Sequence, residues 1–212
     1  MPVMISEIFH SIQGESSHAG RPCTFVRLAG CNLRCQWCDT RHSWDEGQVM
    51  SRKDVVWAVS KHRCRLVEIT GGEPLAQRET PLLAAQLLQH GHEVLVETNG
   101  SYPVDVLDER VTAIMDIKCP SSGMHTCTDW SNMERLRPQD ELKFVIADRF
   151  DFEYATRTVK RILPQVRPIH FSPVLDRLEP KELAAWILDE RLPIRLGLQL
   201  HKIIWGPDVQ GV

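Results

Sequence analysis

From Gly30 to Thr40 the chain reads Gly30-Cys31-Asn32-Leu33-Arg34-Cys35-Gln36-Trp37-Cys38-Asp39-Thr40. Three cysteines at C-x3-C-x2-C spacing are too close together for a disulfide framework and well placed to chelate. A structural zinc ion normally takes four ligands, so that reading needs His42 or Cys23 to complete the set. An iron–sulfur cluster held by only three cysteines leaves one iron open, where a substrate or cofactor can coordinate. Trp37, just before the third cysteine, offers a flat aromatic face beside such a cluster. The other cysteines, Cys23, Cys64, Cys119 and Cys127, are scattered along the chain and read as ordinary thiols.

A second constellation, Thr70-Gly71-Gly72-Glu73-Pro74, follows a short apolar run. Its glycines let backbone groups approach a ligand closely, and Glu73 can support a positively charged amine. Elsewhere single residues read plainly by themselves. Arg27 alternates with apolar neighbours and suits a solvated strand face. His201 reads as a structural histidine and Thr40 as a helix cap. Lys118 and Lys143 read as surface charges, although both follow or sit in strands near the expected site, and Gln13-Gly14 reads as a turn.

These residues need elements to position them. Ile5–His10 and Cys23–Ala29 read as strands joined by the polar stretch Gly14–Arg21. Ser51 with Asp54 makes a capping box ahead of a helix carrying Val55, Val56 and Val59. Leu66–Thr70 reads as a strand, and Thr80-Pro81 as a helix start with threonine as cap, ending at Gly91. Strands follow at Val94–Glu97, Thr112–Ile117 and Leu142–Ala147. Phe152–Leu163 reads as a helix, Val166–Phe171 as extended, Pro180–Glu190 as a helix and Leu196–Leu200 as the last strand. Alternating strands and helices imply parallel βα units, about six strands from residue 51 onward, with the site at the strands' C-terminal ends. Trp57 and Trp186 read as core residues of amphipathic helices, and Trp205 as a cover for the barrel end.

The 212 residues fit one domain over 1–212, with an N-terminal β region over 1–30 and a metal-binding loop over 31–40. Charged residues at 25% and hydrophobic ones at 42% are an ordinary globular balance. A net charge of −3 argues against nucleic-acid and membrane-surface partners, and no apolar run is long enough for a span. Met1-Pro2-Val3-Met4 lacks the apolar stretch of a signal peptide, and seven cysteines then suggest a reducing, cytoplasmic setting.

The cysteine loop with its aromatic residue, followed by Gly71-Gly72-Glu73-Pro74, resembles the radical S-adenosylmethionine (SAM) superfamily. Within it, further segments resemble the 7-carboxy-7-deazaguanine synthase family nearly end to end. They are Glu7–Glu15, Arg27 before Ala29-Gly30-Cys31, Cys38-Asp39-Thr40, Glu97–Gly100, Asp116–Gly123, Glu141–Val145 and Leu198–Trp205. Ser16 departs from the pattern, standing where that family often has glycine.

The resemblance implies a partial (β/α) TIM-like barrel of the radical SAM type, with an N-terminal β extension. It implies that Cys31, Cys35 and Cys38 ligate a 4Fe–4S cluster whose open iron binds SAM, and that Thr40 gives an oxygen to Mg²⁺. Trp37, Cys38, Asp39, Gly72, Asp116, Ile117 and Lys118 would border SAM. Ile12, Gln13, Gly14, Arg27, Thr70 and His201 would contact a pterin, and a terminal carboxylate at Val212 is a further contact in some relatives. The implied reaction converts 6-carboxy-5,6,7,8-tetrahydropterin to 7-carboxy-7-deazaguanine with loss of ammonia, in queuosine or deazapurine biosynthesis. A homodimer and an electron donor such as flavodoxin or ferredoxin are also implied. The competing reading is a glycyl-radical enzyme activase, which carries the same cysteine triplet but would leave Gln13, Gly14, Glu15 and Arg27 without a task.

Overall fold

A computed structural model describes residues 1–162, 168–206 and 209–211. Strands β1 (Val3–Ile12) and β2 (Pro22–Leu28) pair antiparallel, with Ile8 opposite Val26. A short strand, β3 (Gln48–Met50), adds to the other edge of β1 ahead of helix α1 (Arg52–Ser60). Ser51 caps α1 as its sequence predicts, its Oγ accepting from Asp54 N at 3.2 Å. Then come β4 (Leu66–Gly71), α2 (Thr80–Gln89), β5 (Glu93–Thr98), β6 (Thr112–Asp116), α3 (Asn132–Arg135) and β7 (Glu141–Ile146). The series ends with α4 (Arg149–Ile162), β8 (Ile169–Pro173), α5 (Pro180–Glu190), β9 (Ile194–Leu196) and α6 (Leu200–Trp205).

Among the described residues nine strands form one sheet in the order β3-β1-β2-β4-β5-β6-β7-β8-β9, with every neighbour from β2 to β9 parallel. This is a partial (β/α) barrel. The parallel run contains the six expected strands and also β2, which the sequence reading had assigned to the N-terminal β region. Its residues Thr24–Leu28 pair with Val67–Gly71, so the strand that delivers the cysteine loop is itself a barrel strand.

Side chains alternate across this sheet, as the pleat requires. One face buries Val26 and Leu28, Val67 and Ile69, Val94 and Val96, Ala113 and Met115, and Leu142 and Phe144. They pack with Val55 and Val59 of α1, Leu83 and Leu87 of α2, Phe152 and Val159 of α4, and Leu183 of α5. The other face begins with an apolar layer of Cys23, Phe25, Leu66, Leu95 and Ile114. Above it the same register places Arg27, Glu68, Thr70, Glu97, Asp116 and Lys143 around a cavity.

Several local expectations are corrected. Helix α2 is preceded by Glu79 rather than capped by Thr80, whose hydroxyl instead donates to Pro74 O. Trp57 is not core: it is 63% exposed and lies under the ammonium of Lys61. Trp205 is exposed on α6 and is not part of the cavity lining, whereas Trp186 packs on Phe152 as expected. The last strand ends at Leu196, and Leu200 opens a helix. Residues 163–167, within the segments read as Phe152–Leu163 and Val166–Phe171, lie outside the described residues, as does Val212.

Candidate functional site

The cavity measures ≈ 700 Å³ and opens at the C-terminal ends of the parallel strands. One wall is the loop that leaves β2. Gly30 has φ +92°, a left-handed conformation that glycine adopts without strain, and its N donates to Ser43 O at 2.8 Å. The loop then meets the turn after β4. Glu73 N donates to Gly30 O at 2.8 Å, and a Cβ on Gly72 would sit 2.1 Å from that same oxygen. Only glycine at position 72 lets the two backbones touch.

Cys31, Cys35 and Cys38 all line this cavity, and all are free thiols. Burial raises the Cys35 thiol to about 11, and burial likewise raises Cys31, against a partly offsetting hydrogen bond from Leu33 N. Both must therefore lose protons to become ligands. Among the described residues, no three His, Cys, Asp or Glu side chains gather tightly enough to hold a single metal ion. The three cysteines all line the cavity, and three thiolates are by their chemistry a donor set suited to a polynuclear cluster with one open vertex. Among the described residues the zinc reading finds no fourth ligand gathered with the three cysteines. Cys23 lies in the apolar layer at the far end of β2, and His42 Nε2 sits 3.6 Å from Glu7 Oε1.

Trp37 is held by Nε1 donating to Ser121 Oγ at 3.1 Å, with Lys118 Nζ 5.5 Å from its ring centre. Lys118 Nζ in turn lies 2.6 Å from Asp116 Oδ2. Burial opposes the charge on Lys118, but Asp116 outweighs it and raises the lysine above its usual range. Asp116 Oδ1 is buried without a hydrogen-bond partner among the described residues, leaving an acceptor for a ligand. Thr40 Oγ1 lies 3.7 Å from Cys38 Sγ on the same wall.

The rest of the cavity is built from the β1–β2 loop, the barrel strands and α6. Arg27 Nε donates to Glu7 Oε1 at 2.6 Å, and its guanidinium lies over Phe9. Lys143 is buried and meets Glu15, and lies 2.8 Å from Glu97 Oε1. Burial alone would raise Glu15, but Lys143 and the Gln199 amide, 2.6 Å away, hold its carboxyl below the usual range. Gln13 is oriented at both ends, its Oε1 accepting from Glu15 N at 3.1 Å and its Nε2 donating to Glu68. The loop bends at Ser16 with φ +63°, the conformation that glycine supplies most readily. It is tied down by Ser17 N donating to Glu141 Oε2 at 3.0 Å. Helix α6 docks through Leu200 N on Gly14 O at 3.1 Å and Lys202 Nζ on Asp39 Oδ2 at 2.6 Å. Asp39 is half-exposed at 48%, so solvent screens that pair.

The cavity thus gathers Ile12, Gln13, Gly14, Arg27, Thr70 and His201 with Cys31, Cys35, Trp37, Cys38, Asp39, Thr40, Gly72, Asp116 and Lys118. Ile117 is the exception. Its side chain falls on the outward register with Ala113 and Met115, is fully buried in the main core, and leaves only backbone near the site. Glu73 also differs from expectation. It is buried outside the cavity lining, and its oxygens accept from Thr98 Oγ1 at 2.7 Å, Asn99 N at 2.7 Å and Leu75 N at 2.9 Å. It fastens β4 to β5 rather than facing a ligand. Sequence reasoning missed Glu68, Glu97 and Gln199 as cavity residues and left Lys143 undecided.

Residues 26–120 match the Radical SAM superfamily. The chain is 46% identical to a 7-carboxy-7-deazaguanine synthase of Chlorobaculum tepidum over 100% of this chain and 98% of that one. It is 42% identical to one of Koribacter versatilis over 99% of this chain and 100% of that one. The crystal structure of QueE from Escherichia coli has a similar fold, with a TM-score of 0.77, 24% identity and 94% of each chain covered. These relatives do not favour the glycyl-radical activase reading. Among the described residues no helix is long and apolar enough to cross a membrane.

Proposed function

Because the chain belongs to the 7-carboxy-7-deazaguanine synthase family, a group of radical SAM enzymes, we propose that its cavity converts 6-carboxy-5,6,7,8-tetrahydropterin to 7-carboxy-7-deazaguanine and ammonia. The observation that carries this reading is the convergence on one cavity of every expected site side chain except Ile117. Cys31, Cys35 and Cys38 would hold a 4Fe–4S cluster, which would supply the electron for reductive cleavage of the sulfonium S–C5′ bond of SAM.

This chain's residues do the rest by position. Gly72 lines the cavity against the cysteine loop, Trp37 offers a flat surface, and the Asp116–Lys118 pair offers opposite charges for the polar ends of SAM. Arg27, aimed by Glu7, is suited to the substrate carboxylate. The Thr40 hydroxyl is suited to be one oxygen ligand of Mg²⁺, a hard cation that keeps several waters and takes other oxygens from substrate. His201 and the loop through Gln13 enclose the pterin and exclude water from the reacting ring. The working enzyme is a cytoplasmic homodimer reduced by a small electron-transfer protein such as flavodoxin or ferredoxin.

Anaerobic incubation of cluster-loaded protein with SAM, Mg²⁺, reductant and the tetrahydropterin tests this. The expected products are 7-carboxy-7-deazaguanine, 5′-deoxyadenosine and methionine. Deoxyadenosine without deazaguanine would reject the substrate assignment.

A further inference from the structure

Three carboxyl groups and one ammonium face one another at the floor of the cavity. Lys143 on β7 meets Glu15 of the β1–β2 loop and Glu97 of β5, which leaves Glu68 of β4 outside any ion pair among the described residues. Glu68 is only 4% exposed, and the thiol of Cys23 on β2 is a further titratable neighbour. One Glu68 oxygen accepts from Gln13 Nε2; the other has no hydrogen-bond partner among the described residues. The residue nonetheless lines the cavity, so that free oxygen has a ligand space beside it.

We infer that Glu68 works as a neutral carboxylic acid, a positioning residue that holds Gln13 with one oxygen and presents the other to the ring of the bound substrate. Three ionised carboxyls around a single buried ammonium would leave uncompensated charge in a region shielded from water, and retention of one proton relieves it. Glu68 is the member that keeps the proton, because Lys143 already serves the other two. Burial first, then the neighbouring Glu97 and Glu15, push its carboxyl up to about 8. A neutral carboxyl can donate a hydrogen bond to a carbonyl or ring nitrogen at neutral pH, which a carboxylate cannot. The substrate's part in this inference rests on the pterin reading above; the protonation state of Glu68 does not.

Infrared difference spectroscopy of the wild type against Glu68→Gln tests the proton directly. A protonated-carboxyl C=O band is expected in the wild type at neutral pH, lost on raising the pH through about 8 and absent from the variant. Absence of that band from the wild type overturns the inference, whatever the enzyme turns over. Kinetics supply the second readout. Glu68→Ala should lower kcat/KM roughly tenfold, the scale of one lost buried hydrogen bond. Glu68→Gln, an uncharged mimic of the acid, should restore most of that loss and remove the alkaline limb of the pH profile. Rescue by Glu68→Asp but not by Glu68→Gln would mean that an ionised group is required, and overturns the inference too. Should Glu68→Ala fail to fold, the comparison of Glu68→Gln with wild type decides alone. Wild-type protein with the band but without deazaguanine product would reject the pterin reading and leave the neutral acid standing.

Discussion

Gly14 and His201 are packed so closely that a methyl group on Gly14 would sit 2.3 Å from His201 Nδ1 and 3.2 Å from the His201 backbone N. The β1–β2 loop and α6 therefore share one surface over the cavity, and glycine at position 14 makes the fit possible. Gly14→Ala must displace the imidazole or the helix, at about 1–3 kcal/mol for an overpacked contact. The cysteine loop meets α6 at its end, through Lys202 on Asp39, and its three thiols should keep their places. The expected outcome is a KM for the pterin raised roughly tenfold with iron content unchanged. An unaltered KM would mean that α6 does not border the bound substrate.

The contacts of Glu73 give a second expectation. Its carboxylate satisfies three donors on two neighbouring segments, including the backbone N–H groups of Asn99 and Leu75. Glu73→Ala orphans all three in a buried place, so apo protein should lose about 3 kcal/mol of unfolding free energy, near the upper range for unsatisfied buried groups. Glu73→Gln keeps one acceptor oxygen and should cost less. Denaturant titration of both variants measures the difference, and equal losses would show that the acceptor atoms are not what matters.

Much of this was readable beforehand, for physical reasons. Cysteine spacing and the Gly71-Gly72 pair are local features, and local features survive folding unchanged. Ser51 announced its helix because a cap acts within one turn. The charged floor of the cavity was harder. Glu68, Glu97, Asp116 and Lys143 each interrupt an apolar strand at the inward register, and that alternation is the signal that could have found them. Their pairing was not readable, because Lys143 reaches Glu15 across more than half the chain. The same alternation excludes the Ile117 side chain from the cavity, one residue out of phase with Asp116. Trp57 failed for another reason: a helix can carry a tryptophan on its wet face when a lysine one turn on covers the ring.

The thiols make a prediction about metal loading. Cys31, Cys35 and Cys38 share a cavity wall, whereas Cys119 is fully buried in the main core, where burial raises its thiol far above the usual range. Serine at any of the first three should abolish the brown cluster absorbance of anaerobically reconstituted protein. Cys119→Ser should leave iron content unchanged, at whatever cost in stability. Because Cys31 and Cys35 are raised thiols in the apo protein, reconstitution should also release protons, measurable with a pH indicator in weak buffer. Retention of the full iron content by Cys35→Ser would remove the basis for the cluster.

The tie between Glu141 and Ser17 makes the loop sensitive to acid. Glu141 is 3% exposed, its Oε2 lies 2.9 Å from His170 Nε2, and it accepts from Ser17 N. Burial by itself would raise this carboxyl, but His170 and the Ser17 N–H outweigh it and leave it lowered. A lowered carboxyl contributes stability that is complete above its unfolded value, about 4.3, and is lost as pH falls through the folded value. Thermal unfolding of the apo protein should therefore fall in this acid window, and Glu141→Gln, which has no proton to gain, should flatten that part of the curve. Hydrogen exchange localises the effect: amides of Glu15, Ser17 and His18 should lose protection on acidification before those of β7. If the loop and the strand instead open together in wild type and variant alike, the acid sensitivity arises elsewhere and Glu141 is only a core contact.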